Sequence, residues 1–299
     1  MVFFTYNDVI FYSKRFRETP RQISEELRGW RWNAPPLYLP SSKTVSLADL
    51  TSIDCKTFRY VYLKSRVKEE PGKETLRGAL VHRIIADAVE TVKKLIYEGV
   101  KDPNEFRERM IDEYYVELKD LEKFKEITNY PEILKVIWDF ATNLYSSELG
   151  KAVIRSQYLS RDSLASLIVP FSVEFPVDGS AVGLSQNLRV DELIPQIPLI
   201  VEVKVGKTKP LHELALAGYA IAYESNFETP VDFGLLCSVR VDEGFSYKCE
   251  HRIIGDALRQ EFIEVRDRAL EVLEQSIEPQ LPKTCDKDCP FLKYCGVVK

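Results

Sequence analysis

Apolar residues recur with two different periods along this chain, and the period changes near Leu167. Before that point Leu80, Val81, Ile84, Ile85, Ala88, Val89, Val92, Leu95 and Ile96 keep helical spacing and predict an amphipathic helix over 75–98. Ser46 precedes Leu47-Ala48-Asp49 as a cap with an acidic residue in the first turn. A helix is expected from there through Leu50, Ile53, Phe58, Val61 and Tyr62, with Cys55 among them. Asp102-Pro103 and Pro131 open two further helices, one through Phe106, Met110, Tyr114 and Leu118, the other through Leu134, Ile137, Trp138 and Leu144. Residues 30–45, with Pro35, Pro36 and Pro40, read as irregular.

After Leu167 the pattern becomes strand-like. Phe171, Val173 and Phe175 alternate with polar neighbours, and two short runs follow: Leu188-Arg189-Val190-Asp191 and Leu199-Ile200-Val201-Glu202-Val203-Lys204. A helix is expected from Leu211 to about Tyr223, then a hairpin over 233–239 and 245–254 turned by Asp242-Glu243-Gly244, then a helix over about 256–277. Strand–strand–strand–helix–strand, with helices before and after, implies an α/β core: a mixed sheet covered by helices. The chain divides into a 1–75 extension with a helical segment, a 76–278 core carrying a helical insert at about 103–150, and a 279–299 cysteine-rich end.

Alternation places Glu202 and Lys204 on one face of their strand and Val203 on the other. If the two runs pair, Asp191 lies beside Glu202, and two carboxylates meet next to an ammonium. Carboxylate oxygens suit Mg²⁺ or Mn²⁺, which can activate water and stabilise charge on a phosphate, while the lysine orients the attacking water. The bland alternative is a strand with a surface Glu and Lys. His82 lies at the edge of the apolar stripe, one turn after Gly78, and is open to a ligand role or simple packing. Tyr219, on the helix after Lys204, either points back to hydrogen-bond a phosphate or fills the helix–sheet interface.

Composition is that of an ordinary globular protein, 45% hydrophobic and 29% charged. No apolar run approaches the ~20 residues of a membrane span, and the aromatic N-terminus lacks a cleavage site, so a cytoplasmic protein is expected. The net charge of −5 argues against a uniformly basic nucleic-acid binder. Residues 1–75 nonetheless hold 13 Lys and Arg against 9 Asp and Glu, an excess available to phosphate. Trp30 and Trp32, beside Arg28 and Arg31, stack bases or pack the extension.

Cys285, Cys289 and Cys295 form a C-x3-C-x5-C end, and three thiols so close in an aperiodic segment point to a shared metal. A tetrahedral site needs a fourth ligand, for which Cys55 is the natural choice, and zinc stays open on spacing alone. Cys237 and Cys249 are equidistant from Glu243 and face each other across the hairpin. Two separate buried thiols are favoured there over a disulfide.

Taken in order, Gly78-x3-His82, Asp191, Glu202-Val-Lys204 and the Tyr219 helix, framed by Cys55 and the terminal cysteine trio, resemble the RecB-type nucleases of the PD-(D/E)xK superfamily. The cysteines narrow this to its iron–sulfur branch, which includes Cas-four, and within it to the CRISPR-associated Csa-one group. The resemblance spans residues 46–299 and implies a restriction-endonuclease-like sheet whose N- and C-terminal segments are joined by an iron–sulfur cluster. It implies that His82, Asp191, Glu202 and the Val203 carbonyl hold Mn²⁺ or Mg²⁺, with Lys204 as catalytic lysine. Cys55, Cys285, Cys289 and Cys295 would hold a [4Fe–4S] cluster, and Tyr219 would bind substrate. Glu174, on an earlier strand, is a weaker candidate for the site. The family pattern has Gln four residues before the tyrosine, where this chain has Ala215. The implied activity is a metal-dependent DNA exonuclease of CRISPR spacer acquisition, acting on single strands or ends. An inactive iron–sulfur DNA-binding scaffold is the alternative. Implied partners are DNA, CRISPR adaptation proteins and a second copy of the chain, with no membrane.

Overall fold

The helices are α1 (Tyr6–Glu18), α2 (Leu47–Thr51), α3 (Arg59–Lys64), α4 (Lys73–Glu98), α5 (Pro103–Asp120), α6 (Tyr130–Arg155), α7 (Arg161–Ile168), α8 (Glu213–Phe227) and α9 (Asp256–Gln275). The strands are β1 (Ser172–Val177), β2 (Leu188–Ile194), β3 (Leu199–Val205), β4 (Phe233–Val241) and β5 (Phe245–Ile253). This is a computed structural model, describing residues 1–296 apart from 71, 125, 126, 128, 156 and 157.

The strands form one mixed sheet in sequential order. Neighbours are antiparallel except β3 and β4, which run parallel. A parallel pair needs a long crossover, and α8 supplies it. Alternation along β3 sends Val201 and Val203 into one core and Ile200 into another. The first core packs α4, α6 and α7 on the sheet together with Met1–Phe4, which are at most 2% exposed. The second packs α8, α9, α2 and α3 on the opposite face.

The predicted long helices form where their caps place them. Asp102 accepts hydrogen bonds from the Asn104 and Glu105 amides and starts α5. Gly99, at φ +104°, ends α4 in the left-handed conformation that glycine takes without steric cost. The helix expected through Cys55 is instead two short ones. The chain leaves the helix after Thr51 and re-enters at Arg59 through Phe58, at φ +56°, so Cys55 lies on the irregular link between α2 and α3. Two helices lacked a strong apolar signal. In α1 only Val9 and Phe16 are buried, and its start is fixed by a box in which Thr5 donates through both N and Oγ1 to Asp8. In α7, Ser160 caps eight residues.

Cys237 and Cys249 are direct partners in the β4–β5 register and form a disulfide. This corrects the expectation of two separate thiols. The register sets the two residues directly opposite, with Cα atoms 4.0 Å apart, so their side chains meet.

Helix α8 is apolar nearly all round, with Leu214 to Gly218 and Ala220 to Glu224 buried. The segment around residues 24–31 lies against it. A Cβ on Gly29 would sit 2.0 Å from the Ile221 carbonyl oxygen, so only glycine permits this approach. Buried Glu224 receives two parallel hydrogen bonds from Arg259, at 2.8 Å each, and others from Arg28 and the amides of Gly29 and Val231.

Candidate functional site

The site begins as a gap in the sheet. β2 and β3 pair only over Glu192↔Val201, Leu193↔Ile200 and Ile194↔Leu199. Continued by one step, that register sets Asp191 opposite Glu202. On the other side, the β1–β2 ladder runs through Val173↔Glu192 and Phe175↔Val190 but skips Asp191 and Glu174, which holds φ +46°. Asp191 is therefore free of the ladder on both edges. Its Oδ2 instead accepts the Val203 amide at 2.8 Å, in the place of a backbone carbonyl.

The other predicted residues converge here. His82, on α4, lies with Nδ1 3.5 Å from Asp191 Oδ1. Glu202 and Lys204 share a face of β3 and form an ion pair at 2.5 Å. Tyr219, one helix away on α8, is close enough for Glu202 and Asp191 to act on its phenol. Glu174 does not join them; it pairs with Arg189 at 3.0 Å. Ala215 is buried in the apolar body of α8, so no polar group occupies that position. Trp30 is tied up structurally: its indole donates to Glu25 and lies under Arg28.

Burial and charge set the protonation states. Burial works to raise the pKa of Asp191, but His82 and Lys204 outweigh it and hold the carboxylate well below its usual range. Burial pushes Glu202 up to about 7, against the pull of Lys204. Burial also acts to discharge Lys204, yet Glu202 and Asp191 keep it a cation. Burial, then the two carboxylates, raise Tyr219 well above the ordinary phenol range, so it stays a hydrogen-bond donor.

Among the described residues, no three His, Cys, Asp or Glu side chains are gathered as a metal ion would gather them. Asp191 leans to His82 and Glu202 to Lys204, so the two carboxyl groups turn to different partners. Glu202 Oε2 is nevertheless buried without a hydrogen-bond partner, an acceptor left free at the centre of the group.

Sequence reasoning missed Glu192. It is fully buried, burial pushes its pKa up to about 8, and its Oε1 accepts the Val2 amide. The Asp191-Glu192 pair was visible, but the partner 190 residues away was not.

The four free cysteines come together elsewhere. Cys55, Cys285, Cys289 and Cys295 line one pocket with Ile53, Tyr60 and Phe291. Arg59 holds the two chain segments together through the carbonyls of Pro279 and Tyr294 and through Glu278.

A family model described as CRISPR-associated exonuclease Csa1 matches residues 1–298. The chain belongs to the Csa1 family. It is 45% identical over 297 residues to a protein of Saccharolobus solfataricus named CRISPR-associated exonuclease Csa1, covering 98% of this chain and 99% of the relative. A Thermoproteus tenax protein of the same name is 29% identical over 280 residues, 92% of each chain. The Csa1 match begins at residue 1, so the first 45 residues, left outside the sequence resemblance, are part of the family's pattern. Among the described residues, no helix is long and apolar enough to cross a membrane.

Proposed function

We propose that this chain is a metal-dependent deoxyribonuclease that trims single-stranded DNA or DNA ends during CRISPR spacer acquisition, alongside other adaptation proteins. The observation that carries this reading is the register that sets Asp191 opposite Glu202 with Lys204 on the same face, beside an unpartnered Glu202 oxygen. The names borne by the Csa1 relatives support the nuclease and CRISPR parts of it.

In this reading His82, Asp191, Glu202 and the Val203 carbonyl hold Mn²⁺ or Mg²⁺. The donor set suits it: hard oxygens, one imidazole, and a carboxylate oxygen with no competing partner. Such an ion, when bound, supplies Lewis acidity toward a phosphate oxygen and lowers the pKa of water. The chain does the rest. Lys204, kept charged by its neighbours, faces the developing negative charge and orients the attacking water. Asp191 is fixed in direction by the Val203 amide. Tyr219, still protonated, donates to a phosphate oxygen.

Cys55, Cys285, Cys289 and Cys295 hold a [4Fe–4S] cluster in this reading. Their fit rests on four free thiols lining a single pocket drawn from both chain segments. The cluster's role is structural, locking the segment after Thr51 to the chain's last segment.

The test uses anaerobically purified protein, assayed for iron and sulfide and for cleavage of linear single- and double-stranded DNA with Mn²⁺. Alanine at Asp191, Glu202 or Lys204 should abolish cleavage while iron content stays unchanged. Equal cleavage by all three variants would end the proposal. The absence of a polar group at Ala215 favours a second reading, an inactive iron–sulfur scaffold that binds DNA ends. Wild-type protein that binds DNA, carries iron and never cleaves it would establish that reading instead.

A further inference from the structure

One run of polar contacts connects the cysteine pocket to the strand that carries Lys204. Asp286 directly follows Cys285, and its side chain is 13% exposed. Its carboxylate takes the Lys209 ammonium at 2.8 Å and the Asp288 amide at 3.1 Å. The backbone N–H of Asp54, the residue before Cys55, lies near enough to help hold the Asp286 pKa down. A single carboxylate thus ties the Cys285-bearing loop to the turn between β3 and α8, with the Cys55-bearing loop beside it.

Lys209 continues the run. Its ammonium also reaches Asp288, at 3.3 Å, just before Cys289. Its amide donates to His212 Nδ1 at 3.0 Å, and its carbonyl accepts the His212 amide at 3.0 Å. His212 is buried at the entrance to α8, and burial followed by nearby Lys204 and Lys209 keeps it neutral. At the strand end of the same turn, Gly206 takes φ +91° and donates to the Val239 carbonyl at 2.8 Å. Between that bond and His212, the turn is pinned through Lys209. Lys204 lies two residues before the turn.

We infer that Asp286 and Lys209 are positioning residues through which the cysteine-bearing segment sets the β3–α8 turn, and with it the end of the strand where the β4 ladder holds Lys204. This rests on the reading of Lys204 as the nuclease lysine and of the cysteines as iron ligands. Removing the ammonium breaks a charge-assisted contact and leaves a carboxylate facing only amides.

Hydrogen exchange by mass spectrometry on the intact, anaerobically prepared protein tests it, with iron content and cleavage measured on the same samples. Lys209→Met should raise exchange at 205–212 by about tenfold or more, with the α4 core unchanged. It should also lower kcat with little change in KM, and speed the loss of visible absorbance to a chelator. Lys209→Arg should restore all three, and Asp286→Ala should reproduce the Met variant. Unchanged exchange at 205–212 in Lys209→Met and Asp286→Ala would overturn the inference. Wild-type protein without iron would refute the cysteine reading, and wild-type protein without cleavage the nuclease reading. In either case the exchange comparison still decides whether the segment sets the turn.

Discussion

The carboxylate corner and the cysteine corner are held in place by different physics. Asp191, Glu202 and Lys204 sit on neighbouring strands, where the β3–β4 ladder holds Glu202 and Lys204 and the Val203 amide holds Asp191. The cysteines sit on loops and a short turn from two distant segments, where no ladder exists and Arg59 does the joining. A strand-built site survives loss of a side chain with its frame intact. A loop-built site loses its frame together with its ligands.

The sharpest contrast comes from paired variants. Lys204→Ala should cut DNA cleavage by about 10³-fold with unchanged iron content. Cys289→Ser should release iron and expose 279–296 to protease, with cleavage lost as a secondary effect. Equal structural damage from both would erase the distinction. Next in size is Arg259→Met, which leaves the fully buried Glu224 carboxylate with Arg28 as its remaining cation and should destabilise the protein by about 3 kcal/mol. Because Glu224 lies on α8, which packs on the sheet and on α2 and α9, both corners should fail together in denaturant, read by iron absorbance and by intrinsic fluorescence. Separate transitions would show that the corners unfold independently. Removing the Cys237–Cys249 bridge as a double alanine variant should cost about 2–3 kcal/mol for a closed loop of this length, with cleavage and iron both retained.

The smallest effect belongs to neither corner. Burial, then Asp87, raises Glu117 to about 7, above its unfolded value. The stability tied to its protonated form is fully present below about pH 4.5 and is lost as pH rises through about 7. Glu117→Gln should flatten the fall in melting temperature between pH 5 and 8, by about 2 °C given the partial exposure. An identical pH profile would show that the carboxyl is solvated.

Legibility in the sequence followed the same division. The pairing of the two short runs was legible only as a condition, which the antiparallel β2–β3 ladder meets. The long helices α4, α5 and α6 were readable from their stripes and caps. The cysteine grouping was visible from composition, but the break in the helix around Cys55 was not, because Phe58 adopts a left-handed conformation that no local signal requires. α1 was hidden because so little of it is buried. Glu192 with Val2, and Asp286 with Lys209, depend on contacts between residues far apart in the chain, to which periodicity is blind.

Helix α8 is enclosed by the sheet on one side and by α2, α9 and the 24–31 segment on the others. It therefore acts as an axle passing through the whole assembly. Cutting the chain to either side of it would leave two pieces that each expose what the helix had covered. Attempts to divide this protein into one piece carrying the carboxylates and another carrying the cysteines should yield insoluble fragments.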